Sequence, residues 1–133
     1  GFRFWGSTQD LTPLYRFNSV WEQFLGLGIN IEQIHEYIQT LQTKFLELIN
    51  NNSYFLNTDL SIQGHFLTVQ LSTPGLAKQF HEDLITHGIL TDFRENRLRF
   101  GFGMYQALED IEKASIPIST ILNKFNSQTP QKY

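Results

Sequence analysis

No cysteine occurs among the 133 residues, which removes thiol catalysis, cysteine-based zinc sites and disulfide scaffolds from consideration. Every apolar run falls far short of the roughly 20 residues a membrane-spanning helix needs. No Lys/Arg-rich region precedes an apolar core at the N-terminus, so a cytoplasmic location is the expectation. Basic excess is lacking too. Ten Lys and Arg stand against thirteen Asp and Glu, a net charge of −3, which argues against nucleic acid or an anionic membrane as partner. There is no internal repeat and no linker long enough to divide the chain. What the sequence has in abundance is phenylalanine, twelve residues. A chain of this length buries roughly two thirds of its unfolded surface, so an aromatic core is expected without staples of any kind.

Residues 1–10, with Phe2, Phe4 and Trp5 beside Gly6, Ser7 and Thr8, read as an extended arm whose apolar rings need cover. Thr12 and Pro13 predict an N-cap and first turn, after which Leu14, Phe17, Val20, Trp21, Phe24 and Leu25 recur at helical spacing as far as Gly26 or Gly28. Asn30 with Gln33 has the form of a capping box. Beyond it Ile31, Ile34, Ile38, Leu41, Phe45 and Leu48 make one stripe, which is expected to pack on a sheet. The helix should fray into the polar cluster Asn50 to Ser53.

From Leu60 the period changes to two. Leu67, Val69 and Leu71 alternate with Phe66, Thr68 and Gln70, which predicts a strand over 65–72 after a turn at Gln63 and Gly64. Thr73 and Pro74 open another helix carrying Leu76, Phe80 and Leu84, closed by Gly88. A short strand is expected over Ile89 to Asp92. In the next strand Leu98, Phe100 and Phe102 share one face, which leaves Arg97 and Arg99 on the other. Leu108, Ile111 and Ala114 predict a short helix ended near Pro117. A further amphipathic turn or two follows with Ile118, Ile121, Leu122 and Phe125, and 126–133 is a polar tail expected to be disordered. The order ααβαββαα implies a single α+β domain over 11–125: a sheet of three or four short strands covered on one face by helices.

Few residues carry chemistry on spacing alone. His35, His65, His81 and His87 offer no pair at metal-ligand spacing on one helix face, so no metal site is expected. Glu82 with Asp83 and Glu109 with Asp110 diverge around their helices and read as solvated faces. Gly26-Leu27-Gly28 and Gly101-Phe102-Gly103 lack the third glycine of a dinucleotide loop. Asn51-Asn52-Ser53 matches a glycosylation acceptor and reads as a turn. Two features stand apart. Arg94, Arg97 and Arg99 are three of only five arginines, and a planar guanidinium can hold a carboxylate through two parallel hydrogen bonds; for Arg94 and Arg97 the structural alternative is pairing with Asp92 and Glu95. The second is the arm itself, where Gly6 allows close backbone approach to an anion and Ser7 and Thr8 supply hydroxyl donors.

Taken in order, these elements resemble the C-terminal segment of the class V aminotransferase-fold enzymes that use pyridoxal phosphate, above all kynureninases and kynureninase-like proteins. The resemblance runs through Phe4 to Thr8, the helices Thr12 to Leu25 and Asn30 to Ile49, the strand Phe66 to Ser72 and the helix Pro74 to Gly88. It continues in Asp92-Phe93-Arg94 and in Arg99-Phe100-Gly101-Phe102-Gly103-Met104-Tyr105-Gln106, and so covers nearly the whole chain. It departs from the family where Thr8-Gln9-Asp10 lacks the usual proline and where Gln106 replaces the usual asparagine, as a divergent member would.

The resemblance implies roles that composition does not show. Arg99 is similar to the family's strand arginine that holds the substrate α-carboxylate. Ser7, or Thr8 one register on, stands where a side chain reaches the cofactor phosphate of the neighbouring subunit, which implies a homodimer. Pyridoxal chemistry also needs a lysine for covalent attachment, an acidic partner for the ring nitrogen and a pocket. In the family these belong to a larger preceding domain, whereas Lys44, Lys78, Lys113, Lys124 and Lys132 lie on helix surfaces or in the tail. The expectation is a C-terminal small domain that binds no cofactor alone and is inactive without its lysine-bearing partner. Arg99 is then expected to face solvent without an internal salt bridge. The chemistry would be that of a hydrolase, a transferase or a lyase acting on an amino acid. The alternative is a stand-alone interaction module whose arginine face binds an acidic peptide or a small carboxylate.

Overall fold

Alternation at Leu67, Val69 and Leu71, and again at Leu98, Phe100 and Phe102, puts every one of these six side chains in the core of the computed structural model. The structure describes residues 10–49, 55–56 and 64–126. Two compact units divide the chain, Gly1–Ile34 and His35–Tyr133.

In the first unit, α1 spans Thr12–Gly26 with a proline in its first turn. Its cap differs from the sequence expectation. Thr12 is the first helical residue, and the side-chain acceptor is Asp10, whose Oδ1 takes the Thr12 N–H at 2.9 Å. The Thr12 hydroxyl and then its N–H hold the Asp10 carboxyl below the usual carboxylate range. None of the α1 residues is buried, and Leu14, Phe17, Val20, Trp21 and Leu25 are all exposed. The chain leaves this helix through Gly28 at φ 68°, a left-handed position that suits glycine.

Helix α2, Ile31–Ile49, opens on the expected capping box. Gln33 N–H donates to Asn30 Oδ1 at 2.8 Å, and Asn30 N–H donates to Gln33 Oε1 at 3.0 Å. Of its stripe, Ile38, Leu41 and Phe45 are buried, Ile34 and Leu48 are half-buried and Ile31 is exposed. Gln42, 1% exposed, joins the core, its Nε2 donating to the Gly64 carbonyl at 2.9 Å.

The sheet of the second unit holds four antiparallel strands. They are β1 (Phe55–Leu56), β2 (Phe66–Gln70), β3 (Asp92–Arg94) and β4 (Arg97–Gly101), in spatial order β1-β2-β4-β3. Strand β1 has no counterpart in the sequence reading, and β3 starts at Asp92 where the expected strand ended. The expected turn at Gln63 and Gly64 lies partly outside the described residues. Between β2 and β3, helix α3 (Pro74–Thr86) begins as predicted: Thr73 is its N-cap, accepting the Leu76 N–H on its hydroxyl at 3.3 Å. Gly88, at φ 74°, follows its end.

Helix α4, Leu108–Asn126, is one continuous helix with Pro117 inside it. The expected break is corrected by packing. Ile111, Ser115, Ile118, Leu122 and Phe125 are all buried, and their spacing of four, three, four and three keeps one stripe in phase across the proline. The bond forfeited by the missing N–H would have gone to Lys113, an exposed position, where water can serve its carbonyl. The resulting order is ααββαββα, an α+β fold with a four-stranded sheet. Its core is phenylalanine: the Phe45 ring meets Phe55, Phe100 and Phe102 at 5.9, 5.2 and 5.3 Å, while Phe80 meets Phe100 at 6.3 Å and Phe125 at 5.5 Å.

Candidate functional site

The outer sheet face collects what strand geometry turns away from that core. Residues directly opposite on antiparallel strands share a face. One row therefore runs Thr68, Arg99, Asp92, and the next runs Gln70, Arg97, Arg94. Leu98 and Phe100 are buried and fix Arg99 between them on the opposite side, as the sequence predicts.

What the sequence reading missed is the partner. Arg99 Nη2 is ion-paired with Asp92 Oδ2, and the two side chains are 32% and 58% exposed. This corrects the expectation of an Arg99 without an internal salt bridge. A signal for it was present: a two-residue turn at Glu95 and Asn96 pairs 94 with 97, 93 with 98 and 92 with 99. The guanidinium carbon also lies 5.6 Å from the centroid of the Phe66 ring, within cation–π range. Asp92 and Phe66 thus orient the guanidinium while its remaining N–H donors stay available for an incoming anion.

Past β4, the chain turns tightly. Gly103 N–H donates to Gln106 Oε1 at 2.8 Å, and Gln106 N–H donates to Gly103 O at 3.0 Å. The Tyr37 hydroxyl donates to the Gln106 carbonyl at 2.7 Å, so Gln106 organises this turn with both its amide oxygen and its backbone. Beside it a cavity of about 450 Å³ lies among Phe45, Phe100, Phe102, Tyr105, Ile111 and Ile118, all on the core side of the sheet or in the loop after it.

Other candidates resolve into local structure. His81 shares a hydrogen bond with the Thr91 hydroxyl at 2.9 Å, and His87 Nδ1 lies 2.9 Å from the Asp83 carbonyl. His35 Nδ1 and His65 Nε2 come within 3.5 Å of each other, a proximity that sequence spacing does not reveal. Among the described residues no three His, Asp or Glu gather as a metal-ligand set. Glu82 pairs with Lys78 at 3.7 Å, Asp83 with Lys124 at 3.6 Å and Glu112 with Lys44 at 3.6 Å. Lys113 is exposed, and none of these four lysines is buried, so the described residues do not fit pyridoxal phosphate as a self-sufficient site. Ser7, Thr8, Lys132 and the Asn51-Asn52-Ser53 sequence lie outside the described residues. Among the described residues no helix is long and apolar enough to cross a membrane.

No protein-family model and no curated protein matches the sequence. Among solved structures, the 8-amino-7-oxononanoate synthase of Francisella tularensis matches with a TM-score of 0.57 and 24% identity, over 71% of this chain. The likeness is one of fold. The chain spans 29% of the length of that synthase, so the shared fold is there one part of a longer protein.

Proposed function

We propose that this chain is the C-terminal small domain of a pyridoxal-phosphate-dependent enzyme of fold-type I, kynureninase-like in lineage, and that Arg99 binds the α-carboxylate of its amino-acid substrate. The observation that carries the reading is Arg99 itself, placed outward by a buried strand and oriented by Asp92 and Phe66. The synthase with the matching fold belongs to the same broad class of cofactor-dependent enzymes, which supports the class and leaves the kynureninase-like lineage to the sequence resemblance. In this reading the lysine, the acid for the ring nitrogen and the pocket come from a larger domain N-terminal to this one. Ser7 or Thr8 approaches the cofactor phosphate across a homodimer interface, and the exposed apolar face of α1 is covered by that assembly. The enzyme is cytoplasmic and works as a hydrolase or transferase.

Two measurements test it. Borohydride reduction of this chain with pyridoxal phosphate should label no single lysine at one equivalent, because none of the four lysines among the described residues is buried; stoichiometric labelling of one lysine would show that the chain holds its own site. In the intact enzyme, Arg99→Lys keeps the charge but loses the two-pronged geometry. Substrate binding should weaken while cofactor attachment is retained, as read by single-turnover kinetics and the cofactor's absorbance. Unchanged substrate affinity would remove Arg99 from the site.

A further inference from the structure

Arg94 and Arg97 face each other across the β3–β4 hairpin, one row from the Asp92–Arg99 pair. Both are exposed, and among the described residues neither side chain has an ion-pair or hydrogen-bond partner. Asp92, which could have served either, is engaged by Arg99. Like charges directly opposite on neighbouring strands are destabilising, so the arrangement needs something that enforces it.

The enforcement is visible on both sides of the turn. Asn96 Nδ2 donates to the Leu71 carbonyl at 2.8 Å, and the Leu71 N–H donates to the Asn96 carbonyl at 2.9 Å, which ties the hairpin tip to the end of β2. Glu95 sits at φ 52°, a left-handed conformation that a residue other than glycine adopts at a cost. Slipping the register by one would part the arginines, but it would also turn the buried Leu98 and Phe100 out of the core. The fold therefore holds the backbone positions of two arginines directly opposite each other on one face of the hairpin, in a chain whose net charge is −3.

We propose that Arg94 and Arg97 form a second anion subsite and that, with Arg99, they select a ligand carrying two anionic groups: an amino acid with an acidic side chain, its α-carboxylate on Arg99 and its distal carboxylate between Arg94 and Arg97. This rests on the carboxylate reading of Arg99 given above. Arg97 and Arg99 are two residues apart on one strand, about 7 Å between Cα atoms, a separation that their long, flexible stems can match to the span of a five-carbon dicarboxylate. The planar fork of each arginine matches the two oxygens of a carboxylate, as the point charge of a lysine would not. Because all three arginines lie in this chain, the subsite does not wait on another domain.

Titration of the 133-residue chain by arginine Nε–H NMR, at constant ionic strength, uses glutarate, butyrate and inorganic phosphate as probes. Glutarate should bind at least ten-fold more tightly than butyrate. Arg94→Gln and Arg97→Gln should each remove that advantage while leaving butyrate binding in place, and without ligand each should raise the melting temperature by relieving the repulsion. Equal affinity for glutarate and butyrate, both lost in Arg99→Gln, overturns the second subsite and leaves the Arg99 reading standing. Glutarate binding that survives Arg99→Gln, matched by phosphate, overturns the two-point ligand and counts against Arg99 as the α-carboxylate residue. No measurable glutarate binding overturns the proposal.

Discussion

Arg99 shows how little of an arginine's placement resides in the residue alone. Its direction comes from Leu98 and Phe100 on either side of it, its orientation from Asp92 across the hairpin and from the Phe66 ring. The pair is partly exposed, so its net worth to folding is small, about 0–1 kcal/mol. Asp92→Asn should accordingly lower the unfolding free energy measured in urea by no more than that, while the Arg99 Nε–H order parameter falls because the guanidinium loses its fixed partner. An unchanged order parameter would show that Phe66 and strand packing suffice, and would leave Asp92 no positioning role. Gln42 makes the converse case. It is 1% exposed, spends its Nε2 on the Gly64 carbonyl and leaves Oε1 without a partner among the described residues. The period of α2 already places it on the apolar face, four residues after Ile38 and three before Phe45; what stays invisible until the rest of the unit folds is the Gly64 carbonyl that accepts from its amide.

Elements with a strong period were legible and those dependent on partners were not. The face of β4 and the caps of α2 and α3 follow from alternation and from Asn30, Gln33 and Thr73, because local chemistry alone decides them. Strand β1, two residues long, exists through its pairing with Val69 and Thr68, and so short a segment carries no period. The Arg99–Asp92 contact needed the hairpin register, which the expected strand over Ile89 to Asp92 had misplaced. In α4, local propensity and packing disagree and packing wins. An interior proline costs about 3 kcal/mol relative to alanine, so Pro117→Ala should raise stability by up to that amount in urea unfolding; a loss of stability would mean that the proline shapes the fit of Ile118 and Leu122. Phe45, buried on α2, meets three other phenylalanines. Its truncation to alanine should cost about 3–5 kcal/mol.

At the scale of the molecule the two units differ in kind. The unit His35–Tyr133 closes a phenylalanine core, while α1 buries none of its residues despite Leu14, Phe17, Val20, Trp21 and Leu25 on its surface. Exposed apolar side chains scattered singly need no explanation, but a helix whose whole apolar face stays in water gains little from folding. In the proposed enzyme that face lies against the larger domain, and this gives the two substitutions Phe17→Glu and Leu25→Glu a double signature. In this chain alone they remove no buried contact, so the unfolding free energy measured in urea should change by about 0.5 kcal/mol or less. Joined to the lysine-bearing domain, the same changes place carboxylates in an apolar interface, where an unpaired charge is costly. Assembly, followed by gel filtration and by cofactor absorbance, should then fail. A large destabilisation of the isolated chain would show that α1 is part of its own core, and normal assembly of the variant enzyme would remove α1 from the interface.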